Sequence, residues 1–114
     1  MHDITHTHVF INNKRIKGLE LEGSLENSYM NTTAATTGFD QNPMAIAHFH
    51  LAGTGIDVVD EVDEDGNTSG IILVADTNTD LALLGEALTF AGDVLFNTLL
   101  KEADEANKEE HHHA

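Results

Sequence analysis

The first quarter of the chain has the alternating pattern of two β-strands joined by a turn. Residues 4–11 are rich in β-branched side chains, which favour strands. Asn12 and Asn13 follow, and asparagine tolerates the backbone conformations of tight turns. Within residues 15–23, leucine alternates with glutamate, so that one face of the strand is apolar and the other is polar. The pattern predicts a two-stranded hairpin.

The middle of the chain predicts a long loop and a second hairpin. Residues 24–43 are mostly small and polar, and loops of this length are uncommon unless they bind something, so we expect this one to become ordered against a partner. The apolar run at residues 44–51 is too short for its periodicity to distinguish a strand from a helix. Residues 56–62 and 68–75 are strongly β-prone and flank an Asp-Gly turn, which predicts a hairpin.

The last third of the chain carries two conflicting signals. Apolar residues recur at the helical spacings of three and four, at Leu81, Leu84, Leu88, Ala91, Leu95 and Leu99. Against this, Gly85 and Gly92 would each cost about 1 kcal/mol inside a helix, and the Gly-Asp pair at residue 92 is favourable turn chemistry. We therefore predict a strand, a turn and a strand within residues 87–96, with a helix only from about Thr98.

Together these elements predict a mainly β (α+β) fold. It is a small single domain of short strands and hairpins with a short C-terminal helix and an extended N-terminal arm. The predicted layout is an arm and strand hairpin at residues 1–23, a β-rich domain at residues 24–110 and a tail at residues 111–114. A length of 114 residues supports a single domain, because a chain this short builds one core.

The charge and composition of the chain exclude several classes of partner and of chemical site. Twenty acidic and five basic residues give a formal charge of -15 at pH 7, which would repel a phosphate backbone, so no nucleic-acid partner is expected. There is no cysteine, which excludes disulfides, thiolate nucleophiles and cysteine-type zinc sites. No apolar run approaches the ~20 residues of a membrane-spanning helix, and the start does not resemble a signal peptide. We expect no membrane partner and synthesis without export.

Basic residues are concentrated at the first predicted turn. Lys14, Arg15 and Lys17 are three of the five basic residues in the chain. This is the one locally positive segment of the N-terminal hundred residues, so it is a candidate contact for an acidic partner surface. The alternative interpretation is a solvated hairpin tip, because exposed charges contribute little on their own.

Two His-x-His pairs form a candidate metal site. Residues two apart on a strand point to the same face, so His6 with His8, or His48 with His50, could present two imidazoles to one divalent ion. All four would converge if their strands were neighbours, which the sequence does not determine. The alternative is that these histidines are solvent-exposed on polar strand faces. No other cofactor is expected.

The remaining motifs do not indicate catalysis. Glu61, Asp63 and Asp65 have the spacing of a calcium-binding EF-hand loop, but Ile72 occupies the position of the closing glutamate. No Gly-x-Ser-x-Gly elbow supplies a nucleophile. We therefore predict that the protein is not an enzyme.

The second half of the chain resembles a known family. Residues Thr68–Asp76 contain a Gly-Ile-Ile-Leu strand pattern, and Ala87–Leu99 contain a Gly-Asp turn followed by a Phe-Asn-x-x-Leu stretch. This order of elements resembles the lambda-type head-decoration proteins of tailed bacteriophages. The similarity covers roughly residues 55–100, and its motifs are short.

The resemblance implies a structural virion protein that stabilises a capsid shell. Proteins of this family are small, acidic and β-rich, and they bind as trimers to the outer surface of the capsid. By this resemblance the partner is the major capsid protein, the chain forms a homotrimer, and the protein is made in the host cytoplasm and located on the virion. An N-terminal arm at residues 4–11 would add a strand to the capsid protein.

The residues expected to contact the capsid come from this arm and from the basic turn. They are Ile4, Thr5, Val9, Ile11, Lys14, Arg15 and Lys17. Two alternatives remain open, which are another phage structural component such as a tail-tube subunit, and a metal-binding module built from His6, His8, His48 and His50.

Overall fold

The computed structural model describes the backbone of residues 2–38 and 42–112 and the side chains of residues 3–38 and 42–97. The described residues form six strands and one helix. In chain order they are β1 (His2–Ile11), β2 (Lys14–Leu25), β3 (Ser28–Thr36), β4 (Ala45–His50), β5 (Asp57–Val62), β6 (Thr68–Val74) and α1 (Asn78–His112). The prediction of a mainly β, small single domain is confirmed.

The first four strands form one antiparallel sheet in sequence order, β1-β2-β3-β4. The turn between β1 and β2 has two central residues, Asn12 and Asn13, with positive φ angles of 51° and 62°. Two positive φ angles are what a tight hairpin turn between twisted strands requires, and asparagine adopts them more readily than most residues. The strands β1 and β4 are the two edges of this sheet.

The helix α1 covers one face of the four-stranded sheet. One part of the core joins Leu21 of β2 and Ala34 of β3 to Phe90 and Ala91 of α1. A second part lies nearer the start of the helix and contains Met30, Ile56, Leu83 and Ala87. Each fully buried large apolar side chain contributes about 1.5–3 kcal/mol, so the packing of α1 on β2 and β3 supplies much of the stability of the fold.

The residues predicted as strand, turn and strand are instead part of α1, so that prediction is wrong, as is the prediction of a short C-terminal helix. The helix extends over 35 residues. A side chain at Gly85 or Gly92 would meet no atom within 4 Å, so each glycine costs only its intrinsic helix propensity. Burial of Leu83 and Phe90 outweighs that cost. No helix in the described part of the chain has an apolar stretch that could cross a membrane.

The helix begins with a side-chain cap. The Thr77 hydroxyl accepts a hydrogen bond of 3.1 Å from the backbone N–H of Asp80, and the Thr77 carbonyl accepts one of 2.9 Å from Leu81. Asp80 is buried in the first turn, where an acidic side chain interacts favourably with the helix dipole. Its carboxylate accepts a hydrogen bond from the backbone N–H of Gly55, at 3.3 Å, which ties the helix start to the segment after β4.

Removing this cap tests how the helix begins. We expect Thr77→Ala to lower the free energy of unfolding by about 1 kcal/mol, because the N–H of Asp80 loses its acceptor. Thr89→Ala is the matched control, because Thr89 is an exposed threonine in the interior of the helix, where alanine is the better helix former and no loss is expected. Urea unfolding followed by circular dichroism measures both, and equal destabilisation by the two variants would contradict the assigned cap.

The long loop predicted at residues 24–43 is also wrong, because β3 occupies Ser28–Thr36 at an inner position of the sheet. Ala34 and Ala35 are completely buried. Small residues suit this strand because Ala34 packs against the helix and Ala35 lies close to Gly18 of the neighbouring strand β2. Residues 39–41 of the predicted loop lie outside the described residues.

The N-terminal segment is not a separate arm. All ten residues of β1 are paired with β2, from His2 opposite Gly23 to Ile11 opposite Lys14. The layout boundary predicted between residues 23 and 24 lies inside β2. Of the predicted tail, the backbone of residues 111 and 112 is helical and residues 113–114 lie outside the described residues. The predicted first hairpin and the predicted hairpin of residues 56–75 are both confirmed, and the apolar run at residues 44–51 contains the strand β4.

Candidate functional site

The hairpin formed by β5 and β6 is the most exposed structured part of the described chain. It is a separate two-stranded sheet, and every residue of β5 is exposed. Leu73 packs against the core and anchors the base of the hairpin. Large aliphatic side chains are exposed along both strands, at Val58, Val59, Val62, Ile71, Ile72 and Val74. An isolated two-stranded hairpin is at best marginally stable in water, and this one leaves most of its apolar surface in solvent.

Apolar side chains lie on both faces of this hairpin. Val59 is opposite Ile72, and these two share one face. Val58 is opposite Leu73 on the other face, which also carries Ile71. The sequence contains the signal for this arrangement, because the valines and isoleucines occur as adjacent pairs, Val-Val and Ile-Ile. Our sequence interpretation predicted the hairpin and did not use the paired pattern.

The same hairpin is strongly acidic. Six carboxylates and no basic residue lie between residues 57 and 74. In the turn, the Asp63 carboxylate accepts hydrogen bonds of 2.9 Å from the backbone N–H groups of Asp65 and Asn67, while Gly66 takes a φ angle of 84°. The Asp63 carboxylate therefore shapes the turn. The surface of the hairpin combines exposed aliphatic side chains with a dense negative charge.

In contrast to the acidic β5–β6 hairpin, the turn end of the β1–β2 hairpin carries positively charged side chains. Directly paired residues of antiparallel strands share a face, so Phe10 lies beside Arg15 and His8 lies beside Lys17. All four side chains are exposed, and the Phe10 ring is 73% exposed. We call this group, His8, Phe10, Arg15 and Lys17, the basic face. Lys14 points to the other side of the sheet, where its ammonium donates a hydrogen bond of 2.7 Å to the Asn42 carbonyl.

The seven residues predicted to contact a capsid are divided between the two faces of the sheet. Ile4, Arg15 and Lys17 lie on the face that carries the helix, and Thr5, Val9, Ile11 and Lys14 lie on the opposite face. Val9 and Lys14 are half-buried, and the other five are exposed. A partner that lies on one face of the sheet would therefore reach only part of this set. Strand addition at the free edge of β1 would use backbone groups instead.

The structure does not bring the four histidines together. His6 and His8 lie on β1, whereas His48 and His50 lie on β4, and two strands separate these edges. The two pairs also point to opposite faces of the sheet, because His6 shares its row with Leu19, Ala34 and Ala47, the neighbour of His48. Within the described residues no group of three or more potential ligands is positioned to hold a metal ion.

The sheet face opposite the helix has a polar groove that the sequence interpretation missed. The Glu20 carboxylate accepts a hydrogen bond of 2.9 Å from the side-chain amide of Asn31. The rings of His48 and His50 lie edge to face with centroids 6.3 Å apart. These four residues line the groove together with Tyr29 and Thr33. Assigning residues 24–43 to a loop removed Tyr29 and Asn31 from the sheet, so their meeting with Glu20 was not predicted.

Comparison of the chain with protein-family models, curated proteins and solved structures gave no match. In the resemblance to head-decoration proteins, Thr68–Asp76 contains the strand β6 as expected, whereas Ala87–Leu99 is helical and contains no Gly-Asp turn between strands. The capsid partner and the trimer therefore stay predictions.

Proposed function

We propose that this chain is a structural assembly protein, which acts by binding other protein subunits. The observation that carries the proposal is the β5–β6 hairpin, whose aliphatic side chains are exposed on both faces. Contiguous exposed apolar surface of this kind marks an interaction site in soluble proteins. A partner that covers one face of the hairpin would remove that surface from water and would also order a two-stranded element that is marginal alone.

The edges of the four-stranded sheet support the same function. The edge strand β1 is ten residues long, and β4 is the other edge. Edge strands present unpaired backbone N–H and C=O groups, which can pair with a strand of another chain. The chain thus offers two kinds of β-type contact, an exposed hairpin and free strand edges.

The specific form of this function that we favour is a decoration protein on the outer surface of a phage capsid. Its support is the sequence similarity around β6 and the small, acidic, cysteine-poor character that the chain has in common with the family it resembles. In that form the major capsid protein is the partner, and the protein acts after synthesis in the host cytoplasm, on the assembled shell. A tail-tube subunit is the second candidate, because an exposed hairpin also suits contact between neighbours in a ring.

Co-sedimentation with undecorated capsids of a tailed bacteriophage tests this function. We expect the wild-type chain to pellet with the shells, and Val58→Thr with Ile71→Thr to weaken binding at least tenfold, because the loss of apolar contact area lowers affinity. Threonine keeps the β-branched shape, so the hairpin conformation is retained.

Leu81→Gln is the matched control for this experiment. Leu81 is 63% exposed on α1 and Ile71 is 64% exposed, so the control also replaces an exposed aliphatic side chain with a polar one. We expect its shell binding to equal that of the wild type. Failure of the wild-type chain to pellet would overturn the decoration function, and rings seen by electron microscopy would support the tail-tube candidate instead.

A further inference from the structure

We infer that the β5–β6 hairpin of one copy docks on the basic face of a second copy, so that the chain assembles head to tail. This inference rests on the proposed assembly function and names a second copy as the partner of the hairpin face that carries Val58 and Ile71. Copies joined through that face bind a shell more tightly than single copies do, so replacing Val58 and Ile71 with threonine weakens shell binding by weakening assembly. The hairpin surface that we assign carries Val58, Asp60, Val62 and Ile71. The receiving surface is the basic face defined above, His8, Phe10, Arg15 and Lys17.

Charge is the first reason to choose a second copy as the occupant. The chain has a formal charge of -15, so two copies repel each other unless a positive surface meets a negative one. Between residues 18 and 100 there is no lysine or arginine, and three of the five basic residues lie at positions 14–17. Arg15 and Lys17 are both exposed. The complementary negative charge is Asp60 on the assigned hairpin face, with Asp63, Glu64 and Asp65 in the turn beyond it.

The apolar parts of the two surfaces also match. Val58, Asp60 and Val62 alternate along β5 and therefore share a face, and Ile71 is directly opposite Asp60. The three apolar members of this group are each more than half exposed. On the basic face, the Phe10 ring is exposed beside Arg15. Aromatic and arginine side chains next to aliphatic surface are typical of the energetically dominant parts of protein interfaces.

The positions of the two surfaces exclude contact within one copy. The base of the hairpin packs beside Met30 and Leu83, at the end of the sheet where β2 finishes. The basic face lies at the other end, where β2 begins, and a twelve-residue strand spans about 36 Å. Each copy therefore has one hairpin surface that binds the next copy and one basic face that receives the hairpin of another copy. Repetition of such a contact closes into a ring, of which a trimer is one case, or continues as a filament.

A charge-swap experiment tests the contact directly. One variant carries Arg15→Glu with Lys17→Glu, and the other carries Asp60→Lys with Glu64→Lys, which changes the acidic residue of the assigned hairpin face and one in the adjoining turn. We expect the wild type to self-associate in sedimentation velocity, less strongly at about 0.5 M salt, and each variant alone to associate at least tenfold more weakly. An equimolar mixture should associate again, because the unaltered hairpin of the first variant meets the unaltered basic face of the second.

The control is Asp3→Lys with Glu22→Lys, a directly opposed pair on the other sheet face with the same change in net charge as the hairpin variant. We expect it to associate as the wild type does. Loss of association in all variants without recovery in the mixture would overturn the contact, as would a wild type that is monomeric at every concentration. Shell binding by a monomeric wild type would leave the proposed function standing and reject only the second copy as partner.

Discussion

Replacing Phe90 with alanine is expected to lower the free energy of unfolding by about 3–5 kcal/mol, which is the usual cost of removing a buried ring. Phe90 is only 9% exposed and packs with Leu21 of β2 and Ala34 of β3. The cavity left by the ring would lie between the helix and the sheet, where few side chains could move to fill it. Because small domains are stable by only about 5–15 kcal/mol, the loss would be a large part of the total.

Phe96 provides the control for this result on the same helix. Its ring is 62% exposed, so Phe96→Ala should change the free energy of unfolding by no more than about 0.5 kcal/mol. Urea denaturation followed by circular dichroism at 222 nm would measure both variants. Similar small effects at the two positions would contradict the packing of α1 on the sheet.

Replacing Gly18 with alanine is expected to destabilise the fold by roughly 1–3 kcal/mol. The direction is unusual, because glycine in a strand normally loses more conformational entropy on folding than alanine does. A Cβ at Gly18 would overlap the carbonyl oxygen of Ala34 and would lie 2.6 Å from the Cβ of Ala35. Directly paired residues ordinarily keep their Cβ atoms about 4.5–5.5 Å apart, so β2 and β3 approach unusually closely at this point. The obstacle includes backbone, which cannot rotate away as a side chain would.

We expect Gly85→Ala, in contrast, to stabilise the fold. A Cβ there meets nothing within 4 Å, and alanine is favoured over glycine in a helix by about 1 kcal/mol. Thermal unfolding of the two variants would show one melting temperature below and one above that of the wild type. Stabilisation by Gly18→Ala would mean that β2 and β3 are further apart than described.

The hairpins were predictable because their signals are local. Asn12 and Asn13 can both adopt positive φ, and the Asp-Gly turn at residue 66 separates two β-prone runs. Each of these features involves residues that are neighbours in sequence. The predictions therefore did not depend on knowing what packs against the strands.

The errors came from elements whose conformation is decided by distant contacts. The helical stripe of α1 was outweighed in our prediction by Gly85 and Gly92, although the helix is held by packing against β2 and β3. The small residues of β3 look like a loop in isolation. They are suited to an inner strand because α1 lies directly on Ala34.

The candidate surfaces were predictable in part. The basic turn is visible in the sequence, but its division into two faces requires the pairing of Phe10 with Arg15. His6 and His8 were correctly expected to be on a strand, whereas the conformation of the segment with His48 and His50 was left open. Only the sheet order shows that β1 and β4 are opposite edges. The exposure of the hairpin could not be predicted, because the same aliphatic pairs at Val58 and Ile71 would suit a strand buried on both faces.

The covering of the sheet by the last element of the chain has a consequence for synthesis on the ribosome. All four strands of the larger sheet are synthesised before α1. At about 5–20 residues per second, the complete helix follows the last of these strands by several seconds. During that time the inner face of the sheet meets solvent and chaperones. The centre of that face is Thr32 and Ala34, and the Thr32 hydroxyl has no hydrogen-bond partner among the described residues once the helix docks. The finished protein therefore carries the cost of a buried polar group that the exposed, unfinished sheet does not.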